Sequence, residues 1–472
     1  MDDKTGDITI KQRKSNLAFL NLKIMGALNR LELDRAVFYG LITKLWGLCS
    51  GPVTAILIAT KFTPEIQGYY YTFATILALQ VFIELGLGTV IVQFASHEWS
   101  KLKLNESGHI EGDNDSLSRL SSIAVIASKW YFMGGLLVTI GVGIGGYIFF
   151  STSPDTGVHW RSPWFTLCVI EGISICLVPV WSLLEGCNQV GRLYTFRFYK
   201  GLLASISIWV GMLLGAELWT TVISAISAVI FSLIFLRKGY WQFFKTLLYS
   251  KIDGPKINWR YDMLPMQWRI ALSWISGYFI FSFFVPVLFK YQGPLLAGQM
   301  GMTWSIISIV GALSASWLSP RAPQFGMLIA QKKYEELDRQ FWKTTKIVLG
   351  ISAFLAFFIW LFVYILNILP YSWAINFAPR ILSPLPVGLF LMAQFVYTIA
   401  SPFSTYLRAH KKEPLMLFSI VYALFVGCST FFLGEKYSVT GIAAGYLIVN
   451  IILMPVLFFI WNYFRQKWHE DI

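Results

Sequence analysis

The sequence predicts an all-α integral membrane protein with about twelve transmembrane helices in two sets of six. Three observations carry that expectation: the scarcity of charge, the spacing of long apolar runs, and the one-sided distribution of Lys and Arg. Of 472 residues, 56% are hydrophobic and only 13% charged. A water-soluble domain carries about a quarter charged residues, so this chain lacks the polar groups to cover a surface in water, and lipid must serve as its solvent. Aromatic residues, at 17%, suit interfacial belts.

A span needs about 20 mostly apolar residues. Runs of that kind fall at roughly 36–60, 70–95, 129–150, 163–186, 199–215, 217–236, 269–290, 294–317, 345–368, 379–401, 415–433 and 438–464. With the N-terminus in the cytoplasm, the external connections contain only Lys61, Arg161, Lys290, Arg380 and Lys436, and Lys44 lies within a span. The other Lys and Arg, of 38 in all, are then cytoplasmic. That asymmetry is the one the positive-inside rule requires. It places both termini in the cytoplasm and accounts for the formal charge of +13 without a nucleic-acid partner. The basic loops meet anionic lipid headgroups instead.

The expected organisation follows in order. Residues 1–35 form a cytoplasmic segment in which Leu17, Leu20, Ile24, Leu28 and Leu31 share one face, as in a helix lying on the membrane or on the protein's own surface. Residues 36–236 hold spans one to six, 237–268 a cytoplasmic linker, 269–464 spans seven to twelve, and 465–472 a cytoplasmic tail. In the linker, an amphipathic stretch carries Phe243, Phe244 and Leu247, and 259–268 reads as an interfacial elbow helix. The two halves share a weak repeat. Lys61, Pro64 and Gly68 follow the apolar run that opens the first half. Lys290, Pro294 and Gly298 follow the one that opens the second. Spans one and seven are then equivalent in a parallel repeat, a recurring plan of transporters.

Several motifs are set aside. Gly141, Gly143 and Gly146 satisfy Gly-x-Gly-x-x-Gly, but inside span three and without the preceding strand that a dinucleotide site requires. Gly141 and Gly145 instead suit close approach of a second helix. Asn105 begins a glycosylation sequon in a cytoplasmic loop. The cysteines, Cys49, Cys168, Cys176, Cys187 and Cys428, form no Cys-x-x-Cys pair and read as small packing residues. No metal or cofactor is expected, and no acid, base and nucleophile cluster suggests an enzyme.

Charges inside spans are costly and mark function or pairing. Three are recognised: Lys44, Glu84 and Glu171. At about 1.5 Å rise per residue, Lys44 and Glu84 lie at similar depths and are close enough to meet, either as a structural ion pair or as a cavity cation with a tuning carboxylate. Glu171 lies near the midplane with no partner evident in sequence, as an ion-coupling site or a hydrogen-bonded neutral carboxyl. Arg269 and Arg321, at the cytoplasmic ends of spans seven and eight, are candidates to gather a phosphate or are topology-setting charges. Gln80 is a candidate for hydrogen bonding to cargo or to another helix.

The segment Glu84-Leu-Gly-Leu-Gly-Thr-Val-Ile-Val-Gln-Phe94, the polar turns Leu184-Glu-Gly-Cys-Asn-Gln-Val-Gly-Arg192 and Tyr406-Leu-Arg-Ala-His-Lys-Lys-Glu-Pro414, Gln267-Trp-Arg-Ile-Ala-Leu-Ser-Trp274 and Gly441-Ile-Ala-Ala-Gly445 together resemble the polysaccharide or O-antigen (Wzx-like) flippases of the multidrug/oligosaccharidyl-lipid/polysaccharide (MOP) exporter superfamily. The resemblance spans nearly the whole chain through diffuse motifs. It implies two six-helix lobes around a central cavity, opening alternately to each side. The cargo it implies is an undecaprenyl-pyrophosphate-linked oligosaccharide, moved across a bacterial inner membrane beside a polysaccharide polymerase and other glycan-assembly proteins. The chain departs from that pattern in having only Lys44 as a clear cavity cation unless Arg269, Arg321 or Arg380 turns inward. Two other readings are an ion-coupled multidrug or metabolite antiporter of the same superfamily and a non-transporting scaffold for glycan-assembly enzymes.

Overall fold

The computed structural model describes residues 35–105, 108–153, 156–249, 254–410, 412 and 414–470; the amphipathic segment expected at 15–33 lies outside them. Helices α1 (Arg35–Lys61), α2 (Pro64–Glu84) and α3 (Leu87–Trp99) open the chain. A short antiparallel hairpin follows, β1 (Leu102–Leu104) with β2 (Ile110–Gly112). Then come α4 (Asn114–Ser151), α5 (Arg161–Gly186), α6 (Val190–Leu213), α7 (Trp219–Gly239) and the nine-residue α8 (Trp241–Tyr249). The second half holds α9 (Trp259–Phe281), α10 (Phe284–Gln292), α11 (Pro294–Ala330), α12 (Tyr334–Ile368), α13 (Ser372–Phe377), α14 (Pro384–Ala409) and α15 (Met416–Glu470).

Nine of these helices are long and apolar enough to cross a membrane, or ten when the bent pair α9 and α10 is one span. Packing brings the crossings among the described residues to twelve. Helix α15 reverses at Ser438, whose φ of 57° and ψ of −149° are not helical. Tyr422 on one arm donates to Asn450 Oδ1 on the other at 2.9 Å, so 416–437 and 439–470 run antiparallel. Helix α6, less apolar because of Arg192, Arg197 and Lys200, packs along α1 and α7. Large apolar side chains such as Ile140, Phe354 and Phe432 remain exposed on the outside of the bundle, as lipid-facing residues do.

Alternating crossings give the molecule two faces. One collects the β-hairpin, the start of α6 and α8 around a shared cleft, and among the described residues it carries most of the Lys and Arg; we call it the basic face. The other joins the halves. There Pro64 and Pro294 each stand at the start of a helix, where a missing N–H costs nothing. Four residues on, Gly68 and Gly298 lie in backbone contact: a methyl group on Gly298 would come within 2.9 Å of Gly68 N, and one on Gly68 would overlap the Pro294 carbonyl. The repeat-equivalent residues thus meet each other. Gln67 crosses the same seam, its amide donating at 2.9 Å to the carbonyls of Gly298 and Arg380. Tyr69 meets Phe289 at 5.0 Å between ring centres and Phe150 meets Phe289 at 5.3 Å, so aromatic rings plug this end.

Toward the basic face the equivalent helices part. Helix α3 packs on α5 and α4 within its own half, while 322–330 at the end of α11 packs on α12 and α14. Helix α9 touches the first half, with Ile270 against Gly86.

Two local expectations change. Gly141 and Gly145 are not helix-packing positions: a methyl on Gly141 would meet only its own helix's Leu137 at 3.9 Å, and one on Gly145 nothing within 4 Å. The close crossing uses Gly135 and Gly172, whose backbones abut, and Gly146, which seats Trp164. In the linker, Phe243 and Leu247 of the amphipathic stretch are buried in the protein's own core beside Leu120 and Ile123. The elbow at 259–268 is continuous with α9 and docks by Trp259 on Trp130, 5.5 Å between ring centres.

Candidate functional site in the first half

Helix α6 begins at Val190, nine residues before the apolar run that predicts it, because Arg192, Leu193 and Arg197 are good helix formers and extend the helix ahead of that run. Lys200 therefore lies about 15 Å along the helix from its first residue, at 1.5 Å per residue. It faces an open cavity of about 660 Å³ lined by spans two, four, five and six. The wall opposite comes from α5, which presents Glu171 and Ser174, and from α2, which presents Tyr70, Tyr71 and Gln80. Lys200 and Glu171 interact electrostatically across this space but are not within 4 Å of each other. The cavity thus holds one ammonium, one carboxylate, an amide and two phenols. Such a set can bind an anion at one end and exchange a proton or a cation at the other.

Two of the six expected site residues, Gln80 and Glu171, come together here. The partner that Glu171 lacks in sequence is Lys200, which an apolar-run boundary drawn at 199 leaves at the membrane surface. A helical reading of 190–213 as one span, with Arg197 and Lys200 three apart, is the signal that identifies it. Arg197 itself binds Glu185 Oε2 at 2.5 Å and covers the Tyr194 ring, so it serves structure and leaves Lys200 as the cavity's cation.

Glu84 does not join them, and it does not meet Lys44. Lys44 is exposed on α1. Glu84 ends α2 where the helix breaks: Leu85 (φ 47°) and Gly86 (φ 66°) both adopt the left-handed conformation. The break frees backbone carbonyls, and side chains from α4 fill the need. Trp130 Nε1 donates to Ile83 O at 3.1 Å, and Tyr131 donates to Glu84 Oε1 at 3.3 Å. Ser182 Oγ lies beside the same spot near Gly88. The Leu-Gly-Leu-Gly segment is therefore a helix break with a carboxylate at its corner, and its glycines serve Ile270 and Ser182 rather than a ligand.

Arg269 and Arg321 stay at the basic face. Arg269 is exposed over Trp268, and Arg321 is half-buried with Nη1 donating to Gln324 at 2.9 Å. Arg380, at the opposite face, is the arginine that turns inward. It lines a cavity of about 770 Å³ between α1 and the α12–α13 region, and its Nη1 is buried without a partner. Burial holds its guanidinium below the ordinary value, with Glu65 opposing. Among the described residues no group of three or more His, Cys, Asp or Glu is placed to hold a metal ion.

No protein-family model matches the sequence, and no curated protein matches it. Solved structures do. The inward-facing conformation of a multidrug resistance MATE family transporter of the MOP superfamily superposes with a TM-score of 0.60 at 14% identity, over 93% of this chain and 99% of that one. The lipid II flippase MurJ, in an inward closed conformation, superposes with a TM-score of 0.62 at 15% identity, over 90% of this chain and 87% of that one. The fold is that of the MOP transporters. At these identities the likeness concerns architecture alone. The likeness concerns the all-helical, two-lobed frame.

Proposed function

We propose that the chain is a flippase that moves a polyprenyl-pyrophosphate-linked oligosaccharide across the bacterial inner membrane by alternating access, with the basic face and both termini in the cytoplasm. The observation that carries this reading is the Lys200–Glu171 cavity at membrane depth. The lipid tail stays in the bilayer while the polar head crosses in a protein environment that replaces its hydration, avoiding unpaired polar groups in hydrocarbon. Lys200 receives the pyrophosphate and Gln80 the sugar hydroxyls. An arriving anion competes with Glu171 for Lys200, so Glu171 becomes free to take up a proton or a monovalent cation, and cargo binding and ion binding are linked. Joined spans two and eight at the opposite face, with their parting at the basic face, support an inward-facing state. Arg380 is placed to meet the head at the far side.

The multidrug-antiporter reading draws on the aromatic wall of Tyr70 and Tyr71 with Glu171, which suits an organic cation. Lys200 in the same cavity disfavours such cargo.

A strain deleted for the gene should accumulate lipid-linked oligosaccharide on the cytoplasmic leaflet. Wild type should clear it, and Lys200→Ala and Glu171→Gln, expressed to the same level, should not. Normal surface glycan in the deletion strain, with altered sensitivity to cationic drugs, would replace this reading with the antiporter.

A further inference from the structure

Tyr71 belongs to two places at once. It lines the cavity that holds Lys200 and Glu171, and its ring lies on Gly301 of α11, across the seam in the other half: a methyl group on Gly301 would overlap the Tyr71 side chain. Its hydroxyl lies beside Ser305, one turn further along α11. Tyr71 and Gly301 each come three residues after the touching glycines Gly68 and Gly298. The repeat-equivalent positions thus meet a second time, now as a large ring on a bare backbone.

This contact marks where the halves stop touching. On the seam side, Gly68 and Gly298 are buried against each other. On the basic side, Ala74 is exposed in the cavity, and Ser305, Ser308, Ala312, Ser316 and Ser319 form an exposed face along α11 at helical spacing. Hydroxyls on one exposed face at membrane depth meet water in a cleft, whereas the lipid-facing positions of the bundle carry large apolar side chains. Tyr71 therefore stands between a closed seam and an open cleft. The cavity beside it gives the ring a second position, reached by a change between staggered rotamers. Packed interfaces switch between two such arrangements and do not deform continuously. We propose that Tyr71 is the gate residue of this cavity: seated on Gly301 it holds spans two and eight together at the seam, and swung into the cavity it lets the halves part there. A ligand held between Lys200 and Glu171 shares that space with the gate. That the seam is the outer gate rests on the orientation proposed above; the contact and its test do not.

Distances between spin labels test it, in the full chain in detergent with the native cysteines replaced. The labels go on Lys61→Cys and Lys436→Cys, exposed positions in the two halves. Lys61 lies just before Pro64 at the seam, and Lys436 lies in the reversal of α15, where the Gly434 carbonyl accepts from Gln292 at 3.3 Å. Wild type should give mainly one short distance. Tyr71→Ala should raise the ratio of long to short distances by about tenfold or more, as expected for loss of a large packed ring. Tyr71→Phe, which keeps the ring, should stay near wild type. Gly301→Ala, which unseats the ring, should open the seam when Tyr71 is present and add little to Tyr71→Ala, because the two changes remove one contact. Melting midpoints above the measuring temperature separate opening from unfolding, and Tyr71→Leu replaces Tyr71→Ala if the alanine variant does not fold. The labels need no cargo, so they decide the gate even where the deletion strain overturns the flippase reading. Unchanged distances in Tyr71→Ala, or equal widening by Gly301→Ala with and without the Tyr71 ring, overturn the proposal.

Discussion

Gly68 and Gly298, repeat-equivalent residues 230 positions apart, touch each other at the seam between the two halves, with 2.9 Å between Gly68 N and the place a methyl group would occupy on Gly298. A side chain at either position must push the halves apart. Overpacking of this kind costs about 1–3 kcal/mol, and here the obstacle is backbone, which cannot rotate away. Gly68→Ala and Gly298→Ala should each lower the thermal midpoint in detergent, and Gly298→Leu should lower it further. A Gly298→Leu protein as stable as wild type would mean that the seam is not a closed contact.

The cavity pair should behave as a unit. Lys200→Ala and Glu171→Gln each remove one partner of an electrostatic pair, so the double variant should transport no worse than the poorer single one, a coupling of about 0.5–3 kcal/mol in the range found for interacting residues. Strictly additive losses in a transport assay would show that the two side chains act separately.

The helix break makes a sharp contrast among glycines. Gly86 has a φ of 66° and Ile270 packed against it, so Gly86→Ala should destabilise. Gly141→Ala and Gly145→Ala, in open helical positions, should be neutral or slightly stabilising, by up to about 1 kcal/mol. Tyr131→Phe, which leaves Glu84 Oε1 without its donor, should cost about 1 kcal/mol. Melting midpoints across this set decide the matter, and an order with Gly141→Ala the most damaging would reverse the assignment.

A pH effect is expected at His410. Its Nδ1 faces the Tyr406 carbonyl at 3.1 Å, and its Nε2 is buried without a partner. Burial holds the imidazole below its ordinary 6.5, Lys412 acts in the same direction, and the Tyr406 carbonyl and Asp338 oppose. Above pH 6.5 the ring is neutral whether the chain is folded or not. Below it the unfolded chain takes the proton first, so stability falls as pH drops. Between about pH 7.5 and about pH 5.5, the range in which histidine titrates, the melting midpoint of wild type should fall further than that of His410→Gln. Parallel curves would remove His410 from the account.

Twelve crossings were legible in the sequence because a membrane demands long apolar runs whatever packs against them, and the repeated Lys-Pro-Gly signature marked the two helices that later meet. The candidate site was legible only in part. Glu171 and Gln80 stood out as polar groups in apolar surroundings. Lys200 did not, because a helix that starts in the basic loop and continues into lipid has no boundary that hydropathy alone can place. The depth match between Lys44 and Glu84 was no guide to contact, since two residues at one level can point to opposite sides of their helices, and Tyr131 occupies the place beside Glu84.

What the sequence determined by itself was therefore the solvent and the approximate number of crossings, since apolar length and charge are properties of each segment alone. The tertiary structure decided which charges share a cavity, where span two breaks, which glycines carry the contact between halves, and that Tyr71 of the first-half cavity seats on Gly301 of the other half. Each of these depends on helix rotation and on residues far apart in the chain, and only the packed bundle fixes that.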